Sequence, residues 1–411
     1  MSLLTQASLV LTPNAVKASK LYSVIPSNGN GDMTVVRATT ATRVNSSGLI
    51  ESVAANVARL NYDSVGGCPS ILVEPQRTNL ILRSEEFENT SWAKQGVSVI
   101  ANSIISPNGL MNADTVTSTT TGQARIEQLL AVPTINTTYT FSIYAKAASS
   151  PFVALTRFSG NFFATFNLSS GTIINQTAGV NATIISVGNG WYRISIIVNA
   201  LTTDTSSAWK IHPCTSTDPF SSVVGNSIYL WGGQLEIGAY QSSYVPTVAT
   251  SVTRNQDVIS KTGISNLIGQ TEGTLFVESA ALANDLTTRS ISISDGTANN
   301  RITLSYASVS NLVLLNGTAN GVSFASLINY TLPDETQFAK IAIRYRANNI
   351  TFWVNGVKRG TDITSQVLPI NLSRLALDNS IGSFPFFAKI NSLQLYKTFL
   401  TDAECIALTT L

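Results

Sequence analysis

A chain of 411 residues is too long for one ordinary hydrophobic core, so two or three domains are expected. Charged residues make up 12% of it, about half the usual ~25% share, yet 44% is hydrophobic and evenly spread, which excludes a disordered chain. The net charge of +2 comes from scattered Lys and Arg with no basic block, which excludes a surface that tracks a phosphate backbone.

Thr, Ser and Asn carry the polarity in place of Lys and Glu, a choice that favours strands and turns over exposed helices. The N-terminus, MSLLTQASLVLTPNAVKASK, has no leading positive charge and breaks its apolar run at Thr5 and Gln6, so it is a poor signal peptide. No apolar run approaches the ~18 residues needed to span a bilayer. Synthesis in a cytoplasm without export, and no membrane insertion, are the expectations. Residues 1 to about 30, with Pro13, Pro26 and a turn-rich Ser27 to Asp32, read as an extended arm. Residues 32–77 hold short strand signals but too little apolar material for a core, so they need a neighbour, either the next domain or another copy of the chain.

Residues 78–254 read as one β-sandwich. Tyr139 to Lys146 alternates with period two, as a half-buried strand should. Gly188-Asn189-Gly190 joins Ala182–Val187 to Trp191–Val198 as a hairpin, and Ser227–Glu236 is the last strand. The segment Thr253 to Asp257 interrupts the strand pattern and marks a boundary open to proteolysis. A second sandwich then covers 262–411. Asn355-Gly356 predicts a tight turn between Ile350–Val354 and the strand that follows. At the C-terminus, Thr401 and Glu404 form a capping box with Leu400 and Cys405 as a staple, which predicts a helix from Asp402 to about Thr409. The fold class is therefore all-β: two tandem antiparallel sandwiches behind a small N-terminal attachment region over 1–77.

Several blocks carry a resemblance. Ser70-Ile71-Leu72-Val73-Glu74-Pro75, then Arg77-Thr78-Asn79 and Ser84-Glu85-Glu86-Phe87, resemble a segment of bacteriophage virion proteins, mostly fibre, spike and surface-appendage chains. Val35 to Glu51, Gly190-Trp191-Tyr192-Arg193 and Tyr229 to Glu236 ending in Ser243-Tyr244-Val245-Pro246-Thr247 look like the same family, which spans about 30–257. The strand order around Trp-Tyr-Arg and Gly-Gln-Leu-Glu is similar to jelly-roll carbohydrate-binding modules. The Trp353-Val354-Asn355-Gly356 hairpin and the chain's ending resemble the concanavalin-like, laminin-G-type fold. The resemblance implies a virion structural protein, a tail or head fibre, spike or decoration protein, displaying lectin-like modules for adhesion to host or environmental glycans. It implies a virion-surface location after assembly in the host cytoplasm, and other virion proteins as partners through the N-terminal region. A decoration protein making only protein contacts is the second reading, and a polysaccharide depolymerase the third.

Chemistry-bearing residues are sparse. His212 is the only histidine and is placed between strands, in a loop or at an edge; this removes multi-histidine metal sites. Cys68, Cys214 and Cys405 are odd in number and far apart, which points to free thiols and against a disulfide framework or zinc. No catalytic residue, cofactor or metal is expected, although loop residues Asp295, Asp362 and Asp378 are candidates for a calcium ion at a sandwich rim. Trp191 and Trp231 lie among apolar neighbours and read as core. Trp92 and Trp209 stand in polar surroundings and are the candidate carbohydrate-binding platforms. Low charge, high apolar content and the under-cored 1–77 segment together lead to an expected homo-oligomer, a trimer first.

Overall fold

The computed structural model describes residues 3–63, 67–130, 134–157, 162–200, 207–364 and 367–411. Strands dominate it, and the fold class is all-β, as the period-two patterns require. Two face-to-face sandwiches account for most strands. In the middle sandwich, one six-stranded sheet runs in the order 93–95, 125–130, 207–214, 152–157, 162–167, 172–176. Its partner runs 97–105, 111–118, 227–237, 138–147, 191–199, 181–186, with antiparallel neighbours throughout. Phe141, Ile143, Leu155, Phe166, Ile194, Ile196 and Leu230 interdigitate between the sheets with no exposure.

The second sandwich is discontinuous in sequence. Its larger sheet runs 16–17, 20–21, 33–36, 258–262, 374–376, 289–294, 301–306, 312–319, 322–331. The facing sheet runs 357–362, 349–354, 339–346, 272–281, 388–396, 70–73, 59–61, and strand Leu9–Leu11 also pairs with Ala388–Tyr396. The distinct N-terminal region expected over 1–77 is therefore revised. Leu9, Leu11, Leu21, Met33, Val35, Leu60, Ile71 and Val73 enter the same core as Ile291, Leu304, Ile341 and Leu393. Too apolar to stay bare and too short to fold alone, the segment is completed by its own chain's C-terminal half. The neighbour it needs is thus within the molecule, and the main motive for a trimer falls away.

Local expectations fare well where turn chemistry dictates them. Asn355 and Gly356 both take positive φ, 48° and 80°, between strands Asn349–Val354 and Val357–Asp362. This is the left-handed pair that a two-residue hairpin turn demands. The terminal helix is Asp402–Thr409 with both arms of the Thr401/Glu404 capping box in place. Leu400 and Cys405 are buried in a small cluster with Trp353 and Tyr396, on the outer face of the second sandwich. Ala7, just after the short helix Leu3–Gln6, joins the same cluster.

Trp92 and Trp209 correct the sequence reading. Both are buried, 1% and 0% exposed. Trp92 packs on Phe87 at 4.8 Å and donates Nε1–H to the Arg83 carbonyl at 2.9 Å. Trp209 lies against Phe141 at 5.5 Å with the Arg157 guanidinium over its ring at 5.4 Å. Polar sequence neighbours misled because in a strand they point to the opposite face: Ala208 and Lys210 flank Trp209 outward, and Ser206 lies outside the described residues. For Trp92 the neighbours are turn residues, with Trp92 N–H closing onto Asn89. Trp191 and Trp231 are buried as expected, and Trp353 is buried too. Replacing Trp92 or Trp209 by alanine is therefore expected to cost about 3–5 kcal/mol of stability, as loss of a buried aromatic does. Denaturant titration of each variant checks this, and a change within about 0.5 kcal/mol, the range of an ordinary surface site, would be incompatible with these positions.

Candidate functional site

The segment joining the sandwiches is a buried ionic joint, not the loose linker expected around Thr253 to Asp257. Arg59, with its side chain fully buried, donates to both Glu74 and Asp257. Arg37 reaches Asp257 at 2.7 Å and Arg254 reaches Glu74 at 2.8 Å. Backbone groups complete the network. The Glu74 N–H donates to Asp257 at 2.9 Å, the Ser243 N–H to Glu74 at 2.7 Å, and Arg254 to the Pro75 carbonyl at 2.7 Å. Burial alone would raise the Glu74 carboxyl, but Arg254, Arg59 and the Ser243 donors override it and hold Glu74 well below the usual carboxylate range.

The sequence blocks quoted above converge on this joint. Asn79 uses both ends of its amide, donating to the Gly233 and Val245 carbonyls and accepting from Ile81 and Leu235 N–H. Gln234 accepts from Val245 N–H and donates to Glu236, which also takes Ser242 N–H. The Tyr244 hydroxyl sits on Ser84 at 2.7 Å and Glu85 at 3.0 Å. Trp191 from the Gly-Trp-Tyr-Arg block donates to the Ile105 carbonyl at 3.1 Å. These residues hold the chain together at one place and leave few side chains free for a ligand.

Directly against the joint lies a cleft of about 770 Å³, framed by all three parts of the chain. The hairpin Ala41–Val44 with Ile50–Val53, followed by Asn61, Tyr62 and Asp63, forms one wall. Thr183, Ile185 and Arg193 of the middle sandwich form another, and Leu282, Asn284, Thr336 and Lys389 of the second sandwich a third. Tyr240 and Gln241 come from the turn that follows the last strand of the middle sandwich. Its floor is aromatic: Tyr144 and Tyr244 meet edge-on at 6.0 Å, with Trp231 4.7 Å from Tyr244. Such a site, concave, mostly preformed and carrying a few polar groups over an apolar floor, suits a small ligand. Sequence reading did not find it as a site, because its walls come from segments more than three hundred residues apart, although Arg43, Leu72, Glu74, Arg193 and Tyr244 all lie in blocks quoted above.

Other candidates settle as structure. His212 occupies a central strand, register-paired with Ala154, and not a loop or edge. Thr156 Oγ1 is 3.0 Å from its Nε2. Burial first, then Arg125 and Lys210, push its pKa down to about 3. Asp378 forks onto Arg374, and Asp295 is held by Thr297 and Asn300. Among the described residues no group of three His, Cys, Asp or Glu is placed to hold a metal ion. All three cysteines are free, Cys214 and Cys405 buried and Cys68 exposed.

No protein-family model matches the sequence, and no curated protein sequence matches it. Solved structures resemble parts of it. The carbohydrate-binding module (CBM40) of the Ruminococcus gnavus intramolecular trans-sialidase, bound to α2,3-sialyllactose, shares 17% identity over 34% of this chain and 84% of that one, with a TM-score of 0.27. Domain 4 of a GH43 extracellular arabinanase from Geobacillus stearothermophilus, in complex with arabinotriose, shares 15% over 41% and 84%, at 0.31. The binding domain of botulinum neurotoxin DC, in complex with rat synaptotagmin II, shares 12% over 38% and 40%, at 0.30. Similarity at this level carries no conclusion about what the present chain binds.

Two measurements probe the site's frame. Glu74→Gln leaves Arg59 and Arg254 short of a counter-charge in the interior, and an expected loss of about 3–5 kcal/mol follows; a denaturation curve shifted by less than about 1 kcal/mol would place the joint in solvent. His212 works through pH. Its folded pKa is about 3, against about 6.5 unfolded, so the unfolded chain binds the proton first. The stability from neutral His212 is fully present above the unfolded value and is lost as pH falls towards 3. Wild type should therefore lose more stability between neutral pH and pH 4 than His212→Gln does, and parallel pH profiles for the two proteins would contradict the buried neutral ring.

Proposed function

We propose that the chain is a non-enzymatic glycan-binding protein of a bacteriophage virion surface, and that the cleft against the ionic joint takes the sugar. The observation that carries the binding step is the cleft itself. It is rigidly framed by three parts of the chain, floored by tyrosines, and lined by amide and hydroxyl groups that match saccharide hydroxyls. The virion assignment rests on the sequence blocks from Val35 to Thr247, whose residues form the joint. No oligomeric state is part of the proposal.

A second reading, a decoration protein with protein contacts only, draws support from the burial of all five tryptophans, none of which is left as a stacking platform. Titration of the intact chain against host surface polysaccharides separates the two. Under the glycan reading, Gln241→Ala and Tyr62→Ala at the cleft wall should each weaken binding by about 1–2 kcal/mol while the melting temperature stays put. Binding that ignores both substitutions would move the sugar elsewhere, and silence across a glycan panel with tight virion incorporation would favour the decoration protein. Release of reducing ends would instead indicate a depolymerase.

A further inference from the structure

The charges around the cleft are not balanced. Arg43 is answered by Glu51 at 2.7 Å, and Glu74 is consumed by the joint. Two cations remain. Lys389, half-buried as the second residue of strand Ala388–Tyr396, lies opposite Leu72 in register, and both residues line the cleft. Its ammonium makes no hydrogen bond or ion pair with any described residue. Arg193, on the middle-sandwich wall, holds its guanidinium over the Tyr144 ring at 5.2 Å. Its donors go to the Ser242 carbonyl at 2.6 Å and the Ser142 hydroxyl at 3.1 Å, both neutral, and among the described residues no carboxylate lies within ion-pair distance. Asp63, exposed at the mouth, pairs with neither.

An uncompensated cation in a low-dielectric cleft costs free energy until an anion arrives, and a narrow apolar surround focuses its field on whatever enters. Both cations line one cavity, whose remaining charge outside the joint and the Arg43–Glu51 pair is the exposed Asp63. The geometry points to an acidic saccharide as the cleft's ligand, a sugar bearing a carboxylate or a sulfate ester, with Lys389 as the contacting cation and Arg193 as the fixed charge on the middle-sandwich wall. Lysine acts as a point charge and takes either anion. Neutral faces of the sugar rings would lie against Ile185 and the tyrosine floor. This rests on the glycan reading of the cleft and names the class of sugar.

The test uses the full chain and three probes: oligogalacturonate, the same oligomer fully methyl-esterified, and a sulfated galactan fragment, each titrated calorimetrically. The free acid should bind about tenfold or more tightly than its ester, as a charge-assisted contact implies. Lys389→Met should bring acid and ester to equal affinity, Lys389→Arg should keep the preference, and about 0.5 M salt should erase it. Sulfate matching carboxylate would assign the shared anion chemistry, and a carboxylate-only preference would assign uronic sugars. Equal binding of acid, ester and sulfate by the wild type overturns the inference while leaving the glycan site intact. Binding of none of the three overturns the inference and counts against the glycan reading as well. An acid preference untouched by Lys389→Met overturns it too, because the anion is then held elsewhere.

Discussion

The joining of the two sandwiches depends on the guanidinium of Arg59, which holds Glu74 and Asp257 at once in a buried interior. Glu74 ends the N-terminal contribution to the second sandwich, and Asp257 begins the strand path that re-enters it. Ser243, bonded to the same Glu74, belongs to the return from the middle sandwich. One buried cation thus fixes three chain passages to one another. Desolvating such groups is expensive, so the network is a weak source of net stability, but any arrangement that opens it strands a charge in the interior. Its physical effect is to penalise every other relative placement of the passages.

That constraint explains how a sandwich assembled from both ends of the chain keeps its register. Leu9 pairs with Leu395 and Leu72 with Lys389, separations that carry a large loop-closure cost before any contact rewards them. The middle sandwich, by contrast, is built from one continuous stretch and can complete its core by itself. Asn79, at the start of that stretch, bonds to Gly233, Leu235 and Val245 at its end and so closes the middle sandwich onto the point where the chain leaves and re-enters the second. The second sandwich cannot finish its core until residues beyond 390 are present, because Leu393 and Leu395 pack with Leu9 and Val73.

Local chemistry was legible in the sequence, and non-local assembly was not. Asn355-Gly356, the Thr401/Glu404 box and the hairpin around Asn189 follow from backbone preferences within a few residues. The destination of residues 1–77 depends on pairings hundreds of residues away, for which period-two alternation holds no address. Trp92 and Trp209 failed for a different reason: a polar neighbourhood in sequence was taken as a polar neighbourhood in space, which strands and tight turns do not respect. The conspicuous blocks, Val-Glu-Pro-Gln-Arg-Thr-Asn and Gly-Gln-Leu-Glu, supply Glu74, Asn79, Gln234 and Glu236 to the buried hydrogen-bond network. Lys389 and Gln241 of the cleft lie outside every quoted block and have no local signature.

The joint and the cleft are consequences of one design. Walls that come from three chain passages would ordinarily shift against one another, and ordering them on binding would diminish affinity. Here the passages are already locked by Arg59, Arg254 and Arg37, so the cleft exists in the free molecule with its lining in place. The floor is set the same way: Thr42 of the N-terminal hairpin donates to the Tyr244 carbonyl at 2.6 Å, and Ser84 and Glu85 hold that tyrosine's hydroxyl. Inside the joint three guanidiniums share two carboxylates, with backbone carbonyls and Ser243 taking the remaining donors. That sharing ties each charge to more than one chain passage, which is what makes the frame of the cleft hard to shift.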